Sequence, residues 1–170
     1  MAGYERRCIE ALKRRNAPLE GWYCVGVYDL REEESAEYET CELCGYERIR
    51  FVHVMEHYDY DDSIRVGCIC AGVMEGDLLG AKERERVLRN RYNRKRNYLK
   101  KQWDVSRNGN RTLLYKNNRI TIMRSHFDFG GWGIIFEGRS VWRRDNRKIK
   151  DFRSAVNVAF DLVDPPDEPL

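Results

Sequence analysis

The feature that most constrains the fold is the stretch CELCGYERIRFVHVMEHYDYDDSIRVGCIC at 41–70, which contains four cysteines and two histidines. Cys41 and Cys44 form a CxxC pair, and Gly45 follows it directly. Two thiolates at this spacing can face one zinc ion at about 2.3 Å, and a glycine after the second cysteine relieves the tight backbone. The pair therefore has the spacing of a zinc knuckle.

The residues after the CxxC pair predict a β-hairpin that brings the second group of cysteines back to it. Two strands and the tip between them are predicted over residues 49–57, 64–67 and 58–63. His53 and His57 share one face of the first strand, because side chains alternate between faces. His57 lies beside the tip, whereas His53 lies roughly opposite Cys68 and closer to Cys44. We therefore expect His53 to be the histidine ligand and His57 to be a tip residue.

The stretch also resembles small prokaryotic and phage proteins that combine a CxxCG knuckle, an IRYVH-like strand and a returning VGxxCA motif. The matching segments here are residues 41–45, 49–53 and 66–71. In this resemblance the VGxxC cysteine corresponds to Cys70, and Cys68 falls on a variable position. The implied zinc ligands are Cys41, Cys44, His53 and Cys70.

A finger with two cysteines and two histidines, which would use both His53 and His57, is the alternative. It has eight residues between Cys44 and His53, where such fingers need about twelve, and it leaves Cys70 unused. Four protein ligands imply one closed, structural zinc, because a catalytic zinc keeps a position open for water. Since there is no HExxH, and no HxE with PCxxC, we do not expect an enzyme. Cys8 and Cys24 are expected not to contribute to metal binding.

Charge is distributed unevenly along the chain. Residues 1–80 contain 9 Lys/Arg and 17 Asp/Glu, a net of −8, whereas residues 81–170 contain 22 and 11, a net of +11. Residues 82–103 predict a long basic helix with Leu88, Tyr92, Leu99 and Trp103 along one side. Lysine and arginine at this density repel one another, and a phosphate backbone would supply the counter-charge. The basic half is therefore predicted to bind nucleic acid.

The last sixty residues predict an antiparallel sheet covered by one helix. Strands are expected at 112–116, 119–125 and 131–137, and 140–144 is a candidate extension. The first two flank Asn117-Asn118, a pair suited to a two-residue hairpin turn. That turn would place Leu113, Tyr115, Ile120 and Ile122 on the face covered by the helix, with Lys116, Arg119 and Thr121 on the other. Asp151 stands where the N-cap of the helix is expected.

This region also resembles the DNA-binding domains of plant ethylene-response factors and the related amino-terminal domains of phage integrases. The resemblance rests on the Gly-Trp-Gly-Ile segment 131–134 and on 152–161, and it implies a three-stranded sheet that lies in the major groove with one helix behind it. The helix motif is about two residues short, and the connection SVWRRDNRKIK is unusual for such domains. The order helix, three strands, helix is also similar to a double-stranded-RNA-binding domain.

The sequence thus predicts an α+β protein with an acidic zinc-binding lobe at 1–80, a basic connecting helix at 81–105 and a basic three-strand-plus-helix domain at 106–170. Its expected function is DNA or RNA binding in a phage or other mobile element. The expected contacts are Arg89, Arg91, Arg94, Lys95, Arg96, Lys100, Lys101, Lys116, Arg119, Arg143 and Arg144.

The alternative function is an inhibitor or adaptor that blocks a host nucleic-acid-handling complex. In that case the acidic run at 31–40 would imitate a phosphate backbone, and the basic helix would bind an acidic groove. No apolar run of signal-peptide or membrane-span length occurs, so the cytoplasm is the expected compartment and a membrane is not an expected partner. Cysteines in a reducing compartment indicate metal binding rather than disulfides.

Overall fold

The computed structural model describes residues 2–32, 37–127 and 130–166, so residues 33–36 of the acidic run lie outside the described residues. It has four helices and several antiparallel sheets, which confirms the α+β class. The chain forms two compact units: unit 1 runs through Tyr92, and unit 2 begins at Asn93. Among the described residues, no helix is both long enough and apolar enough to cross a membrane.

Unit 1 is a three-stranded sheet with two helices packed on it. Its elements are α1 (Ala2–Arg14), β1 (Tyr23–Asp29), β2 (Phe51–His57), β3 (Tyr60–Val66) and α2 (Cys68–Glu75). The strand order is β1-β2-β3, with antiparallel pairing throughout. Leu12, Val52, Met55, Ile64 and Met74 are fully buried and form much of the core between the sheet and the helices.

The hairpin of unit 1 is tighter than the sequence predicts. His57 pairs with Tyr60, so the turn is Tyr58-Asp59 rather than a six-residue tip at 58–63. The return strand therefore begins earlier, and His53 pairs with Val66 rather than lying opposite Cys68. Polar residues at 59, 61 and 62 mark this region as a loop in the sequence, but they are compatible with an exposed strand end.

The sequence after the hairpin predicts a short helix near 70–79 with Gly80 as its end. Helix α2 instead begins at Cys68, and Gly76 caps its C-terminus. Gly76 adopts a left-handed conformation with φ of 74°, which glycine accepts without the steric cost of a Cβ. Gly80 instead belongs to the next helix, where its N–H donates a hydrogen bond to Asp77 Oδ1 at 2.8 Å.

The long basic helix, α3, spans Leu78–Tyr98 rather than 82–103, and the boundary between the two units falls inside it. It ends before two members of the predicted apolar stripe, Leu99 and Trp103. Leu99 is 41% exposed, whereas Tyr98, which the prediction did not place on the stripe, is fully buried in the core of unit 2. The prediction of the apolar stripe is wrong beyond Tyr98, because the helix ends there and helical spacing no longer applies to Leu99 and Trp103.

Unit 2 has a five-stranded antiparallel sheet instead of the predicted three strands. The strands are β4 (Asp104–Val105), β5 (Arg111–Tyr115), β6 (Asn118–Arg124), β7 (Trp132–Phe136) and β8 (Arg139–Val141), in that order. A small hairpin, β9 (Arg143–Arg144) and β10 (Arg147–Lys148), precedes α4 (Phe152–Val163). Asp151 caps α4 as predicted, since its side chain accepts a hydrogen bond from the N–H of Ser154 at 2.7 Å.

Helix α4 covers one face of this sheet. Ile120, Ile122 and Ile134 on the sheet and Ala159 and Phe160 on the helix are all fully buried in one core. We call the face packed on α4 the inner face and the opposite one the outer face.

The hairpin that joins β5 to β6 turns one residue earlier than predicted. Its turn residues are Lys116 and Asn117, with φ of 50° and 63°, rather than Asn117-Asn118. Leu113 therefore pairs with Ile120 instead of Ile122. A partner shift of two residues keeps each side chain on its face, because facing repeats every two residues. The predicted inner face is thus confirmed, but Lys116 lies in the turn and not on the outer face.

Candidate metal centre

Three of the predicted ligands come together in unit 1. The sulfur atoms of Cys41, Cys44 and Cys70 lie within 4.8 Å of one another. Cys41 and Cys44 belong to the turn before β2, and Cys70 lies in the first turn of α2. Cys41 and Cys70 are buried, and Cys44 is half-buried. The three thiols can hold a metal ion.

The backbone of the CxxC turn is arranged around the Cys41 sulfur. The N–H of Gly45 donates to the carbonyl of Cys41 at 3.0 Å, and the N–H of Cys41 donates to the carbonyl of Tyr46 at 2.8 Å. Gly45 has φ of +72°, as the sequence predicts for a residue that closes this turn. The neighbouring backbone N–H groups of Cys44, Gly67 and Leu43 help to lower the pKa of the Cys41 thiol. Such donors stabilise a thiolate and its bond to a metal.

The three thiols of the cluster differ in acidity. A hydrogen bond from Cys70, helped by the backbone donors, lowers the pKa of the Cys41 thiol to about 5. The same hydrogen bond raises the pKa of Cys70, and burial raises the pKa of Cys44. Without a metal, the cluster therefore concentrates negative charge on one sulfur. A soft divalent cation would replace the remaining protons and share that charge, so the donor set fits a thiolate-binding metal.

His53, the predicted fourth ligand, does not lie with the three cysteines. It is fully buried on β2, with Nδ1 4.0 Å from the Cys24 sulfur and Nε2 3.8 Å from Glu85 Oε1. His57 is at the hairpin turn, where its Nδ1 accepts a hydrogen bond from the N–H of Asp59 at 2.9 Å. The prediction that His57 is a tip residue is confirmed. The cluster includes neither histidine, so the two-cysteine, two-histidine arrangement is not formed.

Cys68 faces a different environment from Cys70. Residues two positions apart in a helix point about 200° apart around its axis, and both residues lie in the first turn of α2. Burial raises the pKa of the Cys68 thiol to about 11, and the neighbouring Glu85 carboxylate adds to that rise. Cys70 thus lies in the cluster and Cys68 does not, and helix geometry gives the physical reason.

Most predicted nucleic-acid contacts on α3 lie beside carboxylates. Arg91 is 4% exposed, with its Nη1 2.7 Å from Glu32 Oε1. Arg94 Nη2 lies 3.0 Å from Asp164 Oδ1. Two further members on α3 have looser pairs, Arg89 with Glu85 at 3.6 Å and Lys95 with Asp161 at 3.8 Å. Outside α3, Lys116 in the β5–β6 turn lies 3.9 Å from Asp164. Carboxylates distant in sequence thus supply counter-charge that the sequence analysis assigned to phosphate.

The remaining predicted contacts are exposed. Arg144 is exposed but also forms an ion pair, in which its Nη1 lies 2.8 Å from Asp161 Oδ2. The others are Arg96, Lys100, Lys101, Arg119 and Arg143. Among the described residues, no carboxylate forms an ion pair with Arg119 or Arg143.

The structure places beside the metal cluster one cysteine that the sequence analysis expects not to contribute to metal binding. Cys8 is fully buried on α1, and its sulfur lies 3.9 Å from the carbonyl oxygen of Cys70. It lies 33 positions before Cys41, so no ligand spacing points to it. The only local signal is its place one turn before Leu12, on the buried side of the helix.

Comparisons with known proteins give no relative: the chain matches no family model, no curated protein and no solved structure. The function is therefore inferred from the chemistry and placement of its own residues.

Proposed function

We propose that the protein is a zinc-stabilised nucleic-acid-binding protein in which unit 2 contacts the phosphate backbone. Residues 93–167 contain 17 Lys/Arg and 8 Asp/Glu, a net of +9. Asp161 and Asp164 lie in ion pairs with cations of the same unit, so the excess positive charge is carried by exposed side chains. The observation that carries the proposal is this excess on a unit whose sheet has one uncovered face.

The outer face of the sheet combines a cation with exposed apolar surface. Leu114 on β5 is 69% exposed and pairs with Arg119 on β6. Trp142 is 40% exposed, and three atoms of its six-membered ring lie 2.4–2.7 Å from where a Cβ would stand on Gly133. One face of the indole therefore covers the glycine, which leaves the opposite face available to a base. Cations beside aromatic faces are typical of single-stranded nucleic-acid sites.

This surface is a better contact than the middle of α3, which the sequence analysis favours. Arg91 and Arg94 would have to leave carboxylates 2.7 Å and 3.0 Å away before they could bind phosphate. Arg91 is in addition almost fully buried. Exchange of one anionic partner for another gains little, whereas Arg119 gains a new partner and releases counterions. Arg96, Lys100 and Lys101, at the exposed end of α3 and just beyond it, add to the positive charge of unit 2, but Lys101 lies over the ring of the inner-face residue Tyr115 and not on the outer face.

Zinc is the proposed metal of the cysteine cluster. Thiolate ligands select zinc, copper(I) or iron–sulfur clusters, and a CxxC turn followed by glycine is typical of structural zinc sites. The cluster lies in unit 1, whose core includes Cys41 and Cys70 themselves. Zinc would therefore stabilise the fold of this unit, and the ion is assigned no part in contacting nucleic acid.

The proposal is tested by measuring the affinity for duplex and single-stranded DNA and RNA over a series of salt concentrations. The variant Arg119→Ala/Arg143→Ala removes two cations from unit 2. The matched control, Arg6→Ala/Arg86→Ala, removes two exposed cations from unit 1 and so changes the net charge equally. We expect the first variant to bind more weakly and to flatten the salt dependence by about one unit per lost phosphate contact. The control should bind as the parent does.

Two results would contradict the proposal. If the parent binds neither DNA nor RNA at low salt, where electrostatic attraction is least screened, unit 2 does not bind nucleic acid. If both double variants weaken binding equally, the attraction depends only on net charge and no surface is assigned. In the first case the inhibitor alternative becomes the leading one. A pull-down from a host lysate, with nuclease treatment as the control, would then identify the protein partner.

A further inference from the structure

The cysteine cluster supplies three thiols, whereas a structural zinc needs four ligands. Three side chains near the cluster are candidates for the fourth ligand: His53, Cys68 and Cys8. His53 has its ring nitrogens next to Cys24 and Glu85. Cys68 is directed at Glu85. Neither side chain belongs to the group of three clustered sulfurs. His53 Nε2 is buried without a hydrogen-bond partner, and Cys68 lines the same cavity as Cys41, Cys44 and Glu85.

Cys8 differs because it already contacts a member of the cluster. Its sulfur lies 3.9 Å from the carbonyl oxygen of Cys70, and the Cys8 and Cys70 side chains are close enough that the pKa of Cys8 is lowered and the pKa of Cys70 is raised. The charge of Cys41 also acts on it. Cys8 is fully hidden from solvent and belongs to the same buried core as Cys41 and Cys70. It therefore lies beside the three clustered cysteines, although its sulfur is outside the group that lies within 4.8 Å.

The dimensions agree with a four-sulfur site. A tetrahedral zinc with bonds of about 2.3 Å holds its sulfurs about 3.8 Å apart. The three clustered sulfurs lie within 4.8 Å of one another, so a small contraction of side-chain torsions closes the site. Cys8 lies outside this group of three, so its side chain has to turn toward the ion when the site is loaded.

We propose that Cys8 is the fourth ligand, so that the ion is bound by Cys8, Cys41, Cys44 and Cys70. This inference rests on the proposed zinc centre and extends it. Zn²⁺ and four thiolates give a complex with a charge of −2, and each thiol that is still protonated before binding releases its proton to solvent. The site would connect α1, the CxxC turn and α2, and it would fix the N-terminal helix to the rest of unit 1.

X-ray absorption at the zinc edge of the full-length, zinc-loaded chain tests the inference directly. We expect four sulfur neighbours at about 2.3 Å and no nitrogen at about 2.0–2.1 Å. This measurement needs no variant, so it stands even where a substitution at Cys8 prevents folding. Three sulfurs and one nitrogen would overturn the role of Cys8 and leave the zinc centre intact. If the chain binds no zinc, the proposed zinc centre itself is wrong. DNA or RNA binding by unit 2 is measured in a separate experiment and does not depend on that result.

Substitutions give the second measurement. Cys8→Ser is expected to weaken zinc binding by at least about 100-fold in competition with a chelator, because loss of a direct ligand costs more than loss of an outer partner, for which 10- to 100-fold is typical. Cys24→Ser is the matched control, since Cys24 is the other cysteine outside the 41–70 stretch. His53→Asn should likewise retain zinc. If Cys8→Ser keeps the parent affinity while His53→Asn loses it, the fourth ligand is His53.

Discussion

Cys68 and Cys70 are two residues apart in the first turn of α2, yet their thiols have different neighbours. Cys70 lies with Cys41 and Cys44, whereas Cys68 is directed at Glu85. Cys70→Ser should therefore lower the zinc content and the melting temperature of unit 1. Cys68→Ser should leave about one zinc per chain. Metal analysis of the two purified variants checks this, and a greater loss in Cys68→Ser would show that the cluster is wrongly assigned.

At the residue scale, the spacing of cysteines within residues 41–70 predicts the metal cluster. It does not predict which residues distant in sequence lie beside that cluster. The CxxC pair and the VGxxC motif identify three cysteines that the structure brings together. His53 is misplaced because the prediction depends on hairpin register, and a turn of two residues instead of six changes which residues lie opposite one another. Cys8 is missed because no sequence spacing relates the first helix to residues 41–70. Only tertiary packing brings α1 against α2.

Gly76 determines where α2 ends, and its substitution tests that role. A Cβ at this position would meet no atom within 4 Å, so Gly76→Ala changes only the backbone energy. With φ at 74°, alanine is expected to lower the free energy of unfolding by about 1–2 kcal/mol. Urea denaturation followed by circular dichroism measures this difference.

Gly3→Ala is the matched control for that substitution. Gly3 is helical, and a Cβ there would also meet no atom within 4 Å. Because alanine has the higher helix propensity, this variant should be neutral or slightly more stable. Equal stability losses in both variants would mean that the left-handed cap is not what Gly76 contributes.

At the element scale, the sequence predicts which segments are helices and strands more reliably than where they end. Periodicity and alternation identify α3, α4 and the strands β5 to β7, because these signals extend over many residues. Ends depend on single residues that compete with one another. Gly76 and Gly80 are both candidate helix stops, and Lys116 competes with Asn118 for a turn position beside Asn117. Tertiary packing decides between such candidates, and the local sequence pattern carries no information about that packing.

At the scale of the whole chain, charge asymmetry is visible in the sequence but its internal pairing is not. Residues 82–101 contain ten Lys/Arg and two Glu, so the sequence predicts a helix whose cations require anionic partners. Two of these partners are Glu32 and Asp164, which lie 59 and 70 residues from the arginines they pair with. No local window relates residues so far apart. The sequence gives the excess positive charge of the C-terminal half directly, but only the fold shows which surface carries that charge.

All six cysteines lie in unit 1, so removal of metal should affect the two units differently. Ligand binding and folding are coupled at structural zinc sites, whereas the unit 2 core of isoleucines, aromatics and α4 contains no metal ligand of this kind. Hydrogen exchange, measured by mass spectrometry with and without a chelator under reducing conditions, reports the two units separately. We expect faster exchange in α1, α2 and β2 after chelation, and unchanged exchange in β5 to β7 and α4. Added zinc should restore the original protection. Equal acceleration in both units, or none in unit 1, would contradict a structural metal centre confined to unit 1.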